Sequence, residues 1–367
     1  MARIVIAGGG TGGHLFPGIA LAQELKTRDK TVEIVFVGTE KGIESRKLPQ
    51  LGFDLVKMPI LGLSRKVTFR NLLIPFCLAR SMIQSYVFLG KFNPELVVGT
   101  GGYVSYPVLL SANLRGIPTL IQEQNSYPGI TTRLLASRAN RVCLTYHTSL
   151  GYFRQYKKTP DKFKVVGNPI RKEITCGDRT LAQKEFNLRA DKKTIFIFGG
   201  SQGAHRINMA ILEALDEIKD DFQLLWQPGE KDFAYISQKV KGEKINISLI
   251  PFINEMGLAY AVADLVVSRS GALTLAEITA CAKPAILIPY PFAAADHQRL
   301  NAQELVEKGA ARVILEDQLS GKKLAELINQ LLSDENVLGR MSRASKAMAK
   351  PGAASEIADE IEQLLKK

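Results

Sequence analysis

Residues 3–14 read Arg3-Ile4-Val5-Ile6-Ala7-Gly8-Gly9-Gly10-Thr11-Gly12-Gly13-His14. An apolar run rich in β-branched residues meets a glycine cluster, and a helical segment follows. The same order returns at Thr194-Ile195-Phe196-Ile197-Phe198-Gly199-Gly200-Ser201-Gln202-Gly203. Strand, glycine turn and helix are the opening of a βαβ unit. Two such openings predict an α/β chain of two Rossmann-like domains with parallel sheets, facing each other across a cleft. The architecture is duplicated; the sequence is not repeated.

Further strands are predicted outward from these two. In the first half they are Glu33–Val37, Leu96–Val98, Thr119–Gln122 and Arg141–Leu144, and in the second Gln223–Gln227, Ile247–Pro251, Leu265–Ser268 and Ala285–Ile288. The 367 residues suit two domains of roughly 150 each. The boundary is expected near Lys162–Arg171, where Gly167 permits a turn and Pro169 cannot continue a ladder. Leu324, Leu327, Ile328, Leu331 and Leu332 mark an amphipathic helix by their spacing. Pro351-Gly352 breaks the chain before a last helix with Ile357, Ile361, Leu364 and Leu365 on one face.

Hydrophobic residues make up 46% and charged residues 23%, which excludes a disordered chain. Cys77, Cys143, Cys176 and Cys281 are widely spaced with no CxxC, so a disulfide scaffold or zinc ribbon is not expected and reduced cytosolic thiols are. The N-terminus lacks the apolar core and cleavage site of a signal peptide, and no uncharged apolar run reaches about 18 residues. The net charge of +12 is unevenly placed: residues 1–165 hold 22 Lys and Arg against 9 Asp and Glu, and the rest is near balance. Such a field attracts nucleic acid, anionic lipid or phosphorylated substrates.

The chemistry concentrates at strand ends. Glycines at 8–13 let backbone approach a phosphate, and the next helix offers N–H groups and a positive dipole end. This fits a dinucleotide site, with Glu40 as the ribose acid, as well as any other phosphate site, or plain tight packing. His14, at the helix start, is either a base near neutral pH or a capping residue. Gly199–Gly203 forms a second cradle in which Ser201 can hold a diphosphate, with Arg171 as a fixed charge and Asn208 in the following helix. Two phosphate loops in two domains point to two phosphorylated ligands. Ser270-Gly271-Ala272-Leu273-Thr274-Leu275-Ala276-Glu277 follows a strand and starts a helix, with its amides toward an anion and Glu277 able to accept from vicinal hydroxyls. Asp296, Gln298 and Asn301 are polar side chains near another helix start. Gly99-Thr100-Gly101-Gly102-Tyr103 and Glu123-Gln124-Asn125 also fall at strand ends.

With no DxD, HxxxH or CxxC, and with four dispersed histidines, a metal site is not expected. Residues 60–91 join basic residues to apolar ones and contain no acid. They suit either the surface of an anionic membrane or a core helix with a solvated basic side.

Gly9–His14, Gly101-Gly102-Tyr103-Val104-Ser105, Glu123-Gln124-Asn125, Gly167-Asn168-Pro169-Ile170-Arg171, Gly199–Ala204 and Arg269–Thr274 fall in one order. Together they resemble the MurG family of bacterial cell-wall N-acetylglucosaminyltransferases over nearly the whole chain. The resemblance implies the glycosyltransferase B fold, with domains at 1–165 plus 351–367 and at 166–350, the last helix crossing back to the first domain. It implies inverting, metal-independent transfer of N-acetylglucosamine from UDP-N-acetylglucosamine to the 4-hydroxyl of undecaprenyl-diphospho-muramoyl-pentapeptide, with no cofactor.

By the same resemblance His14, Tyr103 and Glu123 are activity residues, His14 the base. Donor contacts are Thr11, Gly12, Gly13, Asn125, Arg171, Ser201, Ile253 by its backbone to uracil, Ala272, Leu273, Thr274, Leu275, Ala276, Glu277 to the ribose, and Gln298. Gly10, Thr11, Gly12 and Gly13 face the acceptor diphosphate. Arg65, Lys66, Phe69, Arg70, Leu72, Leu73, Phe76 and Arg80 meet an anionic membrane. The implied partners are the nucleotide sugar, a polyprenyl-diphosphate lipid and cell-wall synthesis or division proteins, with no nucleic acid, at the cytoplasmic face of the inner membrane. Two departures fall on the acceptor side: Ser105-Tyr106-Pro107 where the family often shows Ser-Gly-Pro, and Gln122 where some members carry His.

The competing readings are a UDP-N-acetylglucosamine 2-epimerase or small-molecule glycosyltransferase of the same fold, an NAD(P)-dependent dehydrogenase and a membrane-associated scaffold. The dehydrogenase leaves the Gly199 and Ser270 motifs idle, and the scaffold leaves the polar residues at the strand ends without purpose.

Overall fold

A computed structural model describes residues 1–40, 42–59, 74–156, 159–200 and 203–366. The chain divides into two compact units, Met1–Arg171 with Pro351–Lys367, and Lys172–Lys350.

The first unit alternates β1 (Arg3–Gly8), α1 (Gly12–Arg28), β2 (Glu33–Thr39), α2 (Glu44–Gln50), β3 (Asp54–Met58), α3 (Ile74–Phe92), β4 (Leu96–Gly101), α4 (Ser105–Leu114), β5 (Thr119–Glu123), α5 (Ile130–Leu135), β6 (Arg141–Leu144) and β7 (Phe163–Val165). The second runs α6 (Arg179–Glu185), β8 (Lys193–Phe198), α7 (His205–Ala214), β9 (Phe222–Gln227), α8 (Glu230–Lys239), β10 (Asn246–Leu249), α9 (Met256–Val262), β11 (Leu265–Ser268), α10 (Ala272–Ala280), β12 (Ala285–Leu287), α11 (His297–Glu307), β13 (Ala311–Val313), α12 (Gly321–Ser333) and α13 (Glu335–Met348). The last helix, α14 (Ala353–Leu365), belongs to the first unit.

Both sheets are parallel. Their strand orders are β3-β2-β1-β4-β5-β6-β7 and β10-β9-β8-β11-β12-β13. The order reverses between β1 and β4 in one sheet and between β8 and β11 in the other, the points at which open α/β sheets bind ligands. The central strands are covered on both faces, so they read as unbroken apolar runs: Ile4, Val5, Ile6 and Ala7 are all fully buried.

Val166 lies in the first core and its N–H reaches the carbonyl of Leu144 at 3.0 Å. Residues 166–171 therefore stay with the first unit, where the sequence had put the division after 165. The spacing on α14 is realised: Ile357, Ile361 and Leu364 enter the core of β1, β2 and α1. Each fully buried isoleucine contributes about 1.5–3 kcal/mol. Arg28 of α1 donates to Asp359, Glu362 and the carbonyl of Ser355, and Arg141 pairs with Glu360. On α12, Leu324, Ile328, Leu331 and Leu332 are buried, and the Ser320 hydroxyl caps its start.

Candidate active site

In the first unit the loop after β1 leads into α1, whose first turn carries no acidic residue, so its positive end is not neutralised there. Thr11 and Gly13 are exposed and Gly12 is buried. Glu44 pins this loop from below. It is fully buried; it accepts from Gly10 N–H at 3.0 and 3.1 Å and from the amide and hydroxyl of Thr39 at 2.7 Å. The Gly10 amide is thus committed to a carboxylate, and the amides that remain for an anion begin at Thr11. Glu40, the dinucleotide-type acid, is exposed. Nothing in the sequence around Glu44 marks it, because its partners lie up to 34 residues away.

His14 sits in the first turn of α1, half-buried. Its carbonyl accepts from the Thr100 hydroxyl at 2.8 Å, and its Nδ1 lies 3.3 Å from Gln124 Oε1. The loop after β4 closes against it. Gly102 has φ +80°, and a Cβ there would stand 2.6 Å from the carbonyl oxygen of Gly9 and 3.3 Å from His14 Cδ2. Only glycine lets the two loops approach so closely. Tyr103 follows, about half exposed.

Glu123, at the end of β5, is buried and accepts from the amides of Asn125 (3.0 Å) and Gly129 (2.8 Å) and from the Thr132 hydroxyl (2.6 Å). These bonds make it the clamp of the loop that presents Asn125 and starts α5. The Arg171 guanidinium lies over the Phe16 ring at 4.6 Å.

In the second unit the corresponding loops follow β8 and β11. Ser201 lies outside the described residues. Gly203 has φ +75°, and a Cβ on it would meet the carbonyl oxygen of Pro228 at 2.3 Å. Gln227 ties two segments together, its Oε1 accepting from Ile253 N–H at 2.9 Å and its Nε2 donating to the carbonyl of Gly200 at 3.3 Å. Asn208 braces the fold, donating to the Pro228 carbonyl and Asp232 and accepting from Trp226 Nε1.

α10 starts at Ala272 without a side-chain cap, so the N–H groups of Ala272, Leu273 and Thr274 have no intrahelical partner. Leu275 and Ala276 continue the helix, Leu275 into the core. Glu277, 5% exposed, lies one turn further on, and the hydroxyl of fully buried Tyr260 donates to its Oε2 at 3.0 Å. Gln298 has its Oε1 fixed by Tyr290 N–H at 3.0 Å and its carbonyl by the Ser270 hydroxyl at 2.8 Å, which turns the carboxamide nitrogen away as a donor. Asn301 is fully buried. The expected donor residues therefore divide, with Thr11, Gly12, Gly13, Asn125 and Arg171 in the first unit and Ile253, Ala272–Glu277 and Gln298 in the second.

Among the described residues no group of three or more His, Cys, Asp or Glu is placed to hold a metal ion. Cys281 is a half-buried thiol pushed up to about 12 by desolvation.

Of the expected membrane residues, Arg65, Lys66, Phe69, Arg70, Leu72 and Leu73 lie outside the described residues, while Phe76 and Arg80 are exposed on α3. That helix buries polar and apolar residues alike, Leu89 being fully buried too. Ser81 and Ser85 face inward, fully buried, while Phe76, Ile83 and Val87 face outward at 75%, 67% and 47% exposure. No helix among the described residues is long and apolar enough to cross a membrane.

Comparison with known proteins matches the glycosyltransferase family 28 N-terminal domain over residues 4–144 and its C-terminal domain over residues 194–357. The UDP-N-acetylglucosamine–N-acetylmuramyl-(pentapeptide) pyrophosphoryl-undecaprenol N-acetylglucosamine transferase of Thermodesulfovibrio yellowstonii is 42% identical, covering 100% of this chain and 99% of that protein. The protein of the same name from Chlorobaculum parvum is 44% identical over 99% of this chain and 100% of its own length. The crystal structure of Acinetobacter baumannii MurG superposes with a TM-score of 0.77 at 27% identity, covering 99% of this chain and 100% of that one. A Neisseria meningitidis UDP-GlcNAc 2-epimerase at 14% identity, with a TM-score of 0.69 and both chains fully covered, shares the fold alone. With domain models matched in both units and relatives above 40% identical along the whole length, the chain belongs to glycosyltransferase family 28.

Proposed function

We propose that this glycosyltransferase moves N-acetylglucosamine from UDP-N-acetylglucosamine to the 4-hydroxyl of undecaprenyl-diphospho-N-acetylmuramoyl-pentapeptide, with inversion and without a metal. The observation that carries the reading is the start of α10. Three amides without helical partners suit a diphosphate, and buried Glu277 beyond them suits the paired hydroxyls of a ribose. Together they select a nucleoside diphosphate.

The acceptor oxygen attacks C1 of the sugar on the face opposite the nucleotide as the C1–O bond to the diphosphate breaks. His14 takes the hydroxyl proton. UDP leaves with its charge met by the α10 amides, the part that a divalent ion plays elsewhere. The amides from Thr11 to Gly13, at the positive end of α1, hold the acceptor's diphosphate.

The outward apolar face of α3, with Arg80 on it and Leu114, Ile130 and Leu134 exposed on α4 and α5, supports peripheral contact with an anionic membrane at its cytoplasmic face. Each nearby Lys or Arg adds about 1 kcal/mol to such contact. Patches of this kind on a folded unit mark binding surfaces.

The test is incubation of labelled UDP-N-acetylglucosamine with a polyprenyl-diphosphate muramoyl-peptide acceptor, with and without EDTA. Label passing to the lipid at equal rates in both is expected. No transfer refutes the reading, and transfer abolished by EDTA refutes its metal-free form.

A further inference from the structure

Gln122 and Gln124 stand two residues apart at the end of β5, so strand alternation puts both carboxamides on one face and Glu123 on the other. On that face three carboxamides and an imidazole form a chain. Gln122 Nε2 donates to Asn168 Oδ1 at 3.3 Å, Gln124 Nε2 donates to Gln122 Oε1, and Gln124 Oε1 faces His14 Nδ1 at 3.3 Å.

One contact fixes the direction of the whole chain. Gln124 Nε2 also lies 2.5 Å from the carbonyl oxygen of Thr100, which can only accept. The carboxamide nitrogen is therefore at that end, its oxygen faces the ring, and the hydrogen between them belongs to His14 Nδ1. Gln122, Gln124 and Asn168 are 1%, 3% and 2% exposed. Reversing the carboxamide would set two acceptor oxygens against each other where water does not reach, a costly arrangement.

We propose that Gln124 is a positioning residue for the transfer: oriented by Gln122 and Asn168, it holds His14 in the Nδ1–H tautomer and so places the ring's lone pair on Nε2. The inference rests on the reading of His14 as the base and adds which nitrogen receives the proton and what determines it. A ring nitrogen's hydrogen is set by the bond the other nitrogen makes; in water the neutral ring favours Nε2–H, which would put a hydrogen where the acceptor's proton must go. The chain also gives a purpose to Asn168, which the expected substrate contacts leave unused.

The experiment uses the full-length protein labelled with 15N at histidine. Long-range 1H–15N correlations above the titration of the ring separate the two tautomers, and the His14 signals are those lost in His14→Gln. Nδ1–H is expected in the wild type. Gln124→Met is expected to lose that preference and to lower kcat about ten-fold or more, with the donor KM within about two-fold. Nε2–H in the wild type overturns the proposal, as does a Gln124→Met enzyme of undiminished kcat. Should Gln124→Met not fold, the wild-type spectrum alone decides. Undiminished kcat in His14→Ala would instead refute the base reading and leave the tautomer measurement standing, so the two failures are told apart.

Discussion

The residues proposed to act on substrate are held in contrasting ways in the two units. His14 is half-buried and reached by a chain of buried carboxamides that fixes where one hydrogen sits. Glu277 is itself buried and accepts from the Tyr260 phenol. A group that must take a proton needs its tautomer defined, and a group that only accepts hydrogen bonds needs its position defined. On the proposed reading the first unit supplies the reacting end of the reaction and the second holds the nucleotide.

The strongest way to break this contrast is His14→Ala. Loss of a general base lowers kcat by about 10²–10⁴, and the donor KM should stay within about two-fold; a large rise in KM with kcat intact would reverse the assignment. Glu277→Ala should do the opposite, raising the donor KM. Two charge-assisted hydrogen bonds at about 1.5–3 kcal/mol each set the upper range, so a rise of at least ten-fold is expected by steady-state kinetics, and an unchanged KM would remove Glu277 from the site. Tyr260→Phe sharpens the same point: removing one neutral donor to that carboxylate should raise the donor KM a few-fold and leave kcat alone.

Stability supplies a further test. Burial raises the Cys281 thiol from 9.0 to about 12, so between those values the folded protein keeps a proton that the unfolded chain has released. Stability then falls as pH rises from 9 to about 12, and Cys281→Ala should flatten that fall in urea melts. The smallest effect is expected at the surface. Phe76→Ser with Arg80→Glu should weaken co-sedimentation with anionic vesicles, most clearly at low salt, and leave transfer to a detergent-dispersed acceptor unchanged. Equal vesicle binding would return α3 to an ordinary solvated face.

The strands that were legible in the sequence are those covered on both faces, such as β1, β4, β8 and β11, whose apolar runs leave little ambiguity. The three that were missed are all sheet edges. β3 reads Asp54-Leu55-Val56-Lys57-Met58, β7 is Phe163-Lys164-Val165 and β13 is Ala311-Arg312-Val313, each short and interrupted by charge, as edges are. The site divides along similar lines. The glycine loops, His14 and Glu277 announce themselves because their chemistry depends on neighbours in sequence. Glu44 and Gln227 do not, because their partners come from distant segments. The glycine spacing allowed Glu40 as an acid near the first loop, and the fold turns Glu40 to solvent and brings Glu44 beneath Gly10. The role of Gln124 was half legible: alternation sets it beside Gln122, and only the fold reveals that the face they share is the one carrying His14.

The central claim is that a uridine nucleotide is held at the start of α10. A crystal structure of the full-length protein soaked with uridine diphosphate tests it most directly. The account predicts the diphosphate on the amides of Ala272–Thr274 and the ribose hydroxyls on Glu277; a nucleotide bound elsewhere, with that helix start empty, would contradict it.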